Sequence, residues 1–319
     1  MCYISEISRK YGVKNNVSEV VMGLFRRLVK NALPHYFVKK YQEHSGGGPF
    51  EPGGYYSPIP SLEEIKGHNF NIPLPELLPG IDLNANEQLN LLDSFETFYK
   101  ELPFTDEKSD GLRYYYNNGC YSYSDAILLY CMMRYLKPKK IIEAGSGFSS
   151  SVMLDTNEKF MGNSINCKFI EPYPARLESL LKNNDREYVT IHQKRLQEVS
   201  IDVFTELNEN DILFIDSTHV AKFNSDVNYI FHEILPILAH GVHIHFHDVF
   251  YPFEYPREWL LEGRAWNEQY MLRAFLEYNN NFKIVLFNTY LESMYESKIK
   301  SRFPLLYKNT GGSIWLKKI

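Results

Sequence analysis

From about residue 120 the chain alternates short apolar runs with stretches of helical spacing. The runs cover 140–144, 167–171, 188–192, 211–216 and 241–247, and helical patterns such as 173–183 and 225–238 separate most of them. That rhythm predicts a parallel sheet with helices on both faces. Ahead of the first run, "SYSDAILLYCMMRYL" carries an apolar stripe behind Ser122 or Ser124 as helix cap. The last two runs, 282–287 and 311–318, are joined by 289–310, which reads as irregular, so these strands can pair antiparallel.

Residues 1–115 differ in texture and read as a helical, loop-rich extension; the sheet domain is expected over 116–319. Over 17–33, Val20, Val21, Leu24, Phe25 and Leu28 fall on one helical face, and Pro34 ends the helix. With Arg26, Arg27 and Lys30 this helix is basic and amphipathic, suited to weak contact with an anionic membrane surface. "HSGGGPFEPGGYYSPIPSLEEI" is dense in Gly and Pro and reads as a long loop with Tyr55 and Tyr56 at its tip, a lid or a dimer arm of a homo-oligomer. A further helix is expected over "NANEQLNLLDSFETFYKEL", where Leu89, Leu92 and Phe95 recur.

Composition narrows the class. Apolar residues make up 44% of 319 and charged residues 23%, enough to build a full core. The net charge of −5 gives no general affinity for nucleic acid, so no nucleic-acid partner is expected. Cys2, Cys120, Cys131 and Cys167 form no C-x-x-C pair, which suits a reducing compartment. The N-terminus lacks the apolar core of a secretory signal, and the best apolar run is too short for a bilayer, so a cytoplasmic location is expected.

The first strand-to-helix turn of the sheet, "KIIEAGSGFSSSVMLDT", carries the chemistry. Gly145 and Gly147 let the backbone approach a ligand, and Glu143 stands just before them. A dinucleotide site wants a third small residue where Ser150 stands, and a pyrophosphate gains little from an acid. A sulfonium or amine gains more, which favours S-adenosylmethionine. Glu171 follows 24 residues past Gly147 at the next strand end, placed to accept both ribose hydroxyls. An NAD-dependent Rossmann-fold enzyme and a non-catalytic scaffold of the same fold remain the alternatives.

These segments resemble the class I S-adenosylmethionine-dependent methyltransferases: "IIEAGSGFSS" their first motif, "FIEPYP" their ribose-binding strand end, and "NDILFIDSTH" their fourth strand. The resemblance implies a Rossmann-like, doubly wound, seven-stranded α/β sheet with the last strand antiparallel. It also implies that Gly145, Ser146 and Gly147 wrap the methionine part, Glu171 holds the ribose, Leu196 and Gln197 flank the adenine, and Asp216 lies next to the methyl donor.

Two strand ends offer groups for the acceptor side, "IDSTH" with Asp216 and His219, and "HIHFHD" with His243, His245, His247 and Asp248. Alternate strand residues lie about 6.7 Å apart, so His243 and His247 are separated by about 13 Å and only His247 and Asp248 meet the functional edge. His243 and His245 are expected as buried, hydrogen-bonded strand residues, and Asp216 and Asp248 as sharing a divalent ion. The motifs further resemble macrocin-type sugar O-methyltransferases and bacterial polysaccharide-associated methyltransferases, which carry a "YYSPIPSLEEI"-like stretch. That resemblance makes Asp216 an ion ligand and His219 the general base. His247 stands where the family has an acid, a candidate third ligand whose imidazole tilts the choice of ion from magnesium towards manganese, zinc or iron, or leaves the site without an ion. For Asn267, Glu268 and Gln269, polar capping of a helix is as good an account as bordering the acceptor. The expected activity is metal-assisted methylation of a sugar hydroxyl on a bacterial glycan or glycosylated metabolite.

Overall fold

The computed structural model describes residue 50 and residues 53–319. The predicted helix 17–33 and its membrane face lie outside the described residues, as does Cys2. The chain divides into two units, one ending at Lys66 and one spanning Gly67–Ile319. The sheet-bearing unit therefore begins well before the expected boundary at 115/116. Residues 67–115 belong to it because helix Ala85–Lys100 packs on helix Tyr123–Leu136 and on strand Phe282–Phe287.

In the first unit, Tyr55 and Tyr56 are exposed and meet edge to face. The stretch expected to be wholly irregular holds a short helix, Leu62–Gly67. Its start is a reciprocal capping box: Ser61 N donates to Glu64 Oε2 at 2.7 Å, and Glu64 N donates to Ser61 Oγ at 3.1 Å.

The second unit is a Rossmann-like α/β fold. Its strands are β1 (Lys140–Ala144), β2 (Asn166–Ile170), β3 (Val189–His192), β4 (Ile212–Ile215), β5 (His243–His247), β6 (Phe282–Phe287) and β7 (Ser313–Lys318). They form one seven-stranded sheet in the order β3-β2-β1-β4-β5-β7-β6. The first five are parallel, and β7 runs antiparallel between β5 and β6. The segment 289–310 is not irregular; it holds helices Asn288–Met294 and Glu296–Arg302 and a 3-10 turn, Pro304–Lys308. Ser122 stands at the N-cap of helix Tyr123–Leu136 and Ser124 lies inside its first turn, and neither side chain caps it. Ser122 Oγ donates to Tyr116 O, and Ser124 Oγ donates to buried Glu292.

Register determines where function can sit. Ala144 pairs with Ile170 and with Ile215, and Ile215 pairs with Phe246. Gly145, Glu171, Asp216 and His247 are thus the next residues along four neighbouring strands, at one edge of the sheet. The strand order reverses between β1 and β4, and such a reversal opens a crevice at the carboxyl ends. Gly145 has φ +81°, and a Cβ there would lie 1.7 Å from the Asp216 carbonyl oxygen, so only glycine lets the two strand ends come so close.

The core is continuous on both faces of the sheet, with β1, β4 and β5 almost wholly buried. Buried Arg113 joins the segment before the sheet to it. Its guanidinium pairs with Asp155 at 2.7 Å, with Glu158 at 2.7 Å and with Asp185. Cys131 and Cys167 are buried free thiols and Cys120 is an exposed one. No helix of the described residues is long and apolar enough to cross a membrane. Arg113→Ala would leave Asp155 and Asp185 as uncompensated buried charges. We expect a loss of about 3–5 kcal/mol in chemical denaturation.

Candidate active site

A cavity of about 530 Å³ opens at the switch point. Gly145, Glu171, Tyr173, Leu196, Gln197 and Asp216 line it, together with the loop that follows β4. Of the eight residues singled out from the sequence for a nucleoside or its methyl donor, five meet here; Glu143, Ser146 and Gly147 do not line the cavity. Glu171 has its carboxylate fixed by the two neighbouring loops, accepting from Ser146 N at 3.2 Å and from Tyr173 N at 2.8 Å. Gln197 donates to Asn224 O at 2.7 Å and so braces the far rim, from which Phe223 projects fully into solvent.

Glu143 does something other than face a cationic ligand. It is fully buried and accepts hydrogen bonds from Ser149 Oγ at 2.6 Å and from Ser150 Oγ. Burial pushes its carboxyl up to about 8, although Ser149, Ser150 and Ser146 pull it down. Ser150 also accepts from Gly147 N at 3.0 Å, so the acid and the serines of helix Phe148–Phe160 brace the glycine turn from within. The serine run that disqualified a dinucleotide motif is what satisfies the buried acid.

On the acceptor side, Asp216, His219 and Asp248 converge, with donor atoms all within 4.8 Å of one another. His219 Nε2 lies 3.3 Å from Asp216 Oδ1 and 3.6 Å from Asp248 Oδ2, and its Nδ1 lies 2.9 Å from Glu268 Oε2. His247, expected as a third ligand, stands outside this group, with Nε2 3.5 Å from Asp248 Oδ1. The reason is strand alternation: at the end of β5, His247 remains buried under the sheet, where its ring packs on Tyr121. His243 and His245 are buried as expected, but both His245 ring nitrogens and His243 Nδ1 lack a partner, and the His245 ring stacks on Phe214 at 4.0 Å.

His219 and Asp248 both adopt left-handed backbone, φ 59° and φ 56°. Such conformations cost about 1–3 kcal/mol each and persist where the surroundings over-determine them. Here the start of helix Glu268–Leu276 does so. Asn267 Oδ1 accepts from Ala221 N at 2.6 Å, and the backbone N–H groups of Asn267 and Glu268 donate to His219 O at 3.0 and 3.1 Å. Gln269 Oε1 accepts from Phe250 N at 3.1 Å. Three consecutive residues therefore pin the loops after β4 and after β5. Sequence reasoning left them between capping a helix and bordering the acceptor; the available signal was three polar residues opening a helix whose next turns are apolar.

The cluster is electrostatically tense. Burial would deprotonate His219, but hydrogen bonds to Asp216 and Glu268, and their charges, push it up to about 10. Burial raises Glu268 and Asp248 above the usual carboxylate range. Burial also acts to raise Asp216, yet the charge of His247 and the hydrogen bond from His219 outweigh it and hold the group below its ordinary value. In the ion-free protein the surrounding carboxylates thus favour the protonated imidazole of His219.

Residues 142–249 match the family model described as a methyltransferase domain. A protein of Archaeoglobus fulgidus, described as uncharacterized, is 34% identical over 170 residues, which cover 51% of this chain and 76% of that one. The sheet-bearing unit therefore contains a methyltransferase domain built on the Rossmann-like sheet. Similar solved structures include the O-methyltransferase TomG of Streptomyces achromogenes in complex with S-adenosylmethionine (TM-score 0.42, 12% identity, 75% of this chain and 91% of that one). Another is the S-adenosylhomocysteine-bound methyltransferase PaMTH1 of Podospora anserina (TM-score 0.40, 14% identity, 77% and 100%).

The state of Glu143 is testable. Its folded-state value of about 8 lies above the ordinary carboxylate value of 4.5, so its contribution to stability is full below the latter and is lost as pH rises through about 8. Glu143→Gln should therefore change the melting temperature little at pH 5 and raise it relative to the parent by on the order of 2 °C at pH 9. A variant that is less stable at pH 9 than at pH 5, relative to the parent, would contradict the assignment.

Proposed function

We propose that the protein transfers the methyl group of S-adenosylmethionine to a hydroxyl of a sugar, on a bacterial glycan or glycosylated metabolite, with a divalent ion at Asp216 and Asp248. The observation that carries this reading is that Asp216 belongs at once to the nucleoside-sized cavity and to the Asp216–His219–Asp248 group. Donor and acceptor would meet at one carboxylate.

S-adenosylmethionine supplies an electrophilic methyl on a sulfonium. Glu171 accepts the ribose hydroxyls, Leu196 and Gln197 flank the base, and the glycine turn leaves room for the methionine backbone. The acceptor oxygen bonds to the methyl carbon as the carbon–sulfur bond breaks, its electron pair returning to sulfur. The hydroxyl proton then has to leave. Asp216, held ionised at the cavity wall, takes it at a carboxylate oxygen. The cluster fits an ion on the chemistry of its donors: two carboxylates and an imidazole converge, and Glu268 holds the imidazole from behind. An ion there supplies positive charge that makes a nearby hydroxyl more acidic.

Support for a sugar comes from the wall beside the cluster. Trp266 lies 4.4 Å from the His219 ring, and Trp259 meets Trp266 at 5.4 Å and Phe250 at 5.0 Å. Flat apolar faces next to convergent polar groups suit a ring that carries hydroxyls.

In calorimetric titration, Glu171→Ala should weaken S-adenosylhomocysteine binding by about 10- to 100-fold. Asp216→Asn should keep that affinity within about tenfold yet abolish transfer in a screen of nucleotide-sugars and glycan fragments with radiolabelled donor. Full transfer by Asp216→Asn, or by the parent in excess chelator, would remove the ion from the account.

A further inference from the structure

We propose that His219 is an ion ligand and not the base, with Glu268 as the positioning carboxylate behind it, so that the site prefers a nitrogen-accepting transition ion such as manganese over magnesium. This rests on the divalent ion proposed for Asp216 and Asp248.

Both ring nitrogens of His219 are committed. Nδ1 faces Glu268 Oε2 at 2.9 Å, and Nε2 faces Asp216 Oδ1 at 3.3 Å and Asp248 Oδ2 at 3.6 Å. Donors about 2.1 Å from one ion stand about 3–4.2 Å apart, and both separations from Nε2 fall in that range. An ion held by the two aspartates thus lies within reach of Nε2, and no other nitrogen of the ring is left to receive a proton. The residue is also buried, 4% exposed, which suits a fixed ligand better than a base that must reach an incoming hydroxyl.

Glu268 completes the pattern of an imidazole ligand oriented by a carboxylate on its far nitrogen. It is 1% exposed, and its Oε1 has no partner, so its one hydrogen bond to His219 is the role the structure gives its side chain. Burying an acid for a single contact is costly, and orienting a ligand is a function that offsets it. The left-handed backbone at His219 turns the ring back over the strand ends and towards Asp248. Imidazole donors suit iron, nickel, copper or zinc, and manganese tolerates one beside carboxylates, whereas magnesium keeps to oxygen.

The test uses the full chain stripped of ions and titrated with Mn²⁺ or Mg²⁺. We expect Mn²⁺ to bind at least about tenfold more tightly than Mg²⁺. Pulsed electron paramagnetic resonance of the Mn²⁺ form should show nitrogen coupling that is lost in His219→Ala and kept in His247→Ala. Glu268→Gln should keep the coupling and weaken Mn²⁺ binding by about tenfold or more, the expected loss for an outer carboxylate. The proposal is overturned if the parent binds no Mn²⁺ or shows no nitrogen coupling, if the coupling survives His219→Ala, or if it disappears in His247→Ala. S-adenosylhomocysteine affinity of the parent, measured on the same samples, reports separately on the methyltransferase reading: absence of binding would remove that reading while the nitrogen coupling still decides the ligand assignment.

Discussion

The ends of β1 and β4 meet so closely that the carbonyl of Asp216 occupies the space a side chain at position 145 would need. This single steric constraint shapes the rest of the molecule. It holds the glycine turn against the fourth strand, so the backbone of the turn and the carboxylate of Asp216 share one cavity. It also marks the point where strand order reverses, with β2 and β3 on one side and β5, β7 and β6 on the other. A ligand entering that crevice meets Glu171 from one half of the sheet and Asp216 from the other.

Around that point the structure invests buried polar groups heavily. Glu143 is consumed by the serines of the turn, and Glu268 by His219. Neither acid reaches the cavity lining, and each fixes a neighbour that lies nearer the chemistry. Asn267 and Gln269 do the same for backbone, one for each reactive loop. A left-handed His219 and a left-handed Asp248 are strained on their own, and the clamp at 267–269 is what holds the two loops that carry them. The result is a preorganised group of opposite charges whose proton distribution an ion would reset.

Much of this was legible in the chain. Apolar runs located all seven strands to within two residues, most plainly β1, β4 and β5, because buried parallel strands read as continuous apolar stretches. Gly145, Glu171 and Asp216 could be placed because strand ends at a switch point are where a ligand must sit. What escaped had nonlocal causes. The helices within 288–302 have no strong apolar stripe. Glu143 was read as facing a cationic ligand because the serines that receive it lie further on, in the following helix. Glu268 could not be linked to His219 because 49 residues separate them and only the fold closes that distance. His247 was drawn into the ion group by its neighbour in sequence, although adjacent residues on a strand point to opposite sides.

The account turns on the nucleoside lying in the crevice between the two halves of the sheet. The most direct measurement is a crystal structure of the protein with bound S-adenosylhomocysteine. The account predicts both ribose hydroxyls within hydrogen-bonding distance of the Glu171 carboxylate, the adenine beside Leu196 and Gln197, and the sulfur on the Asp216 side. Adenosine found away from Gly145 and Glu171 would contradict it.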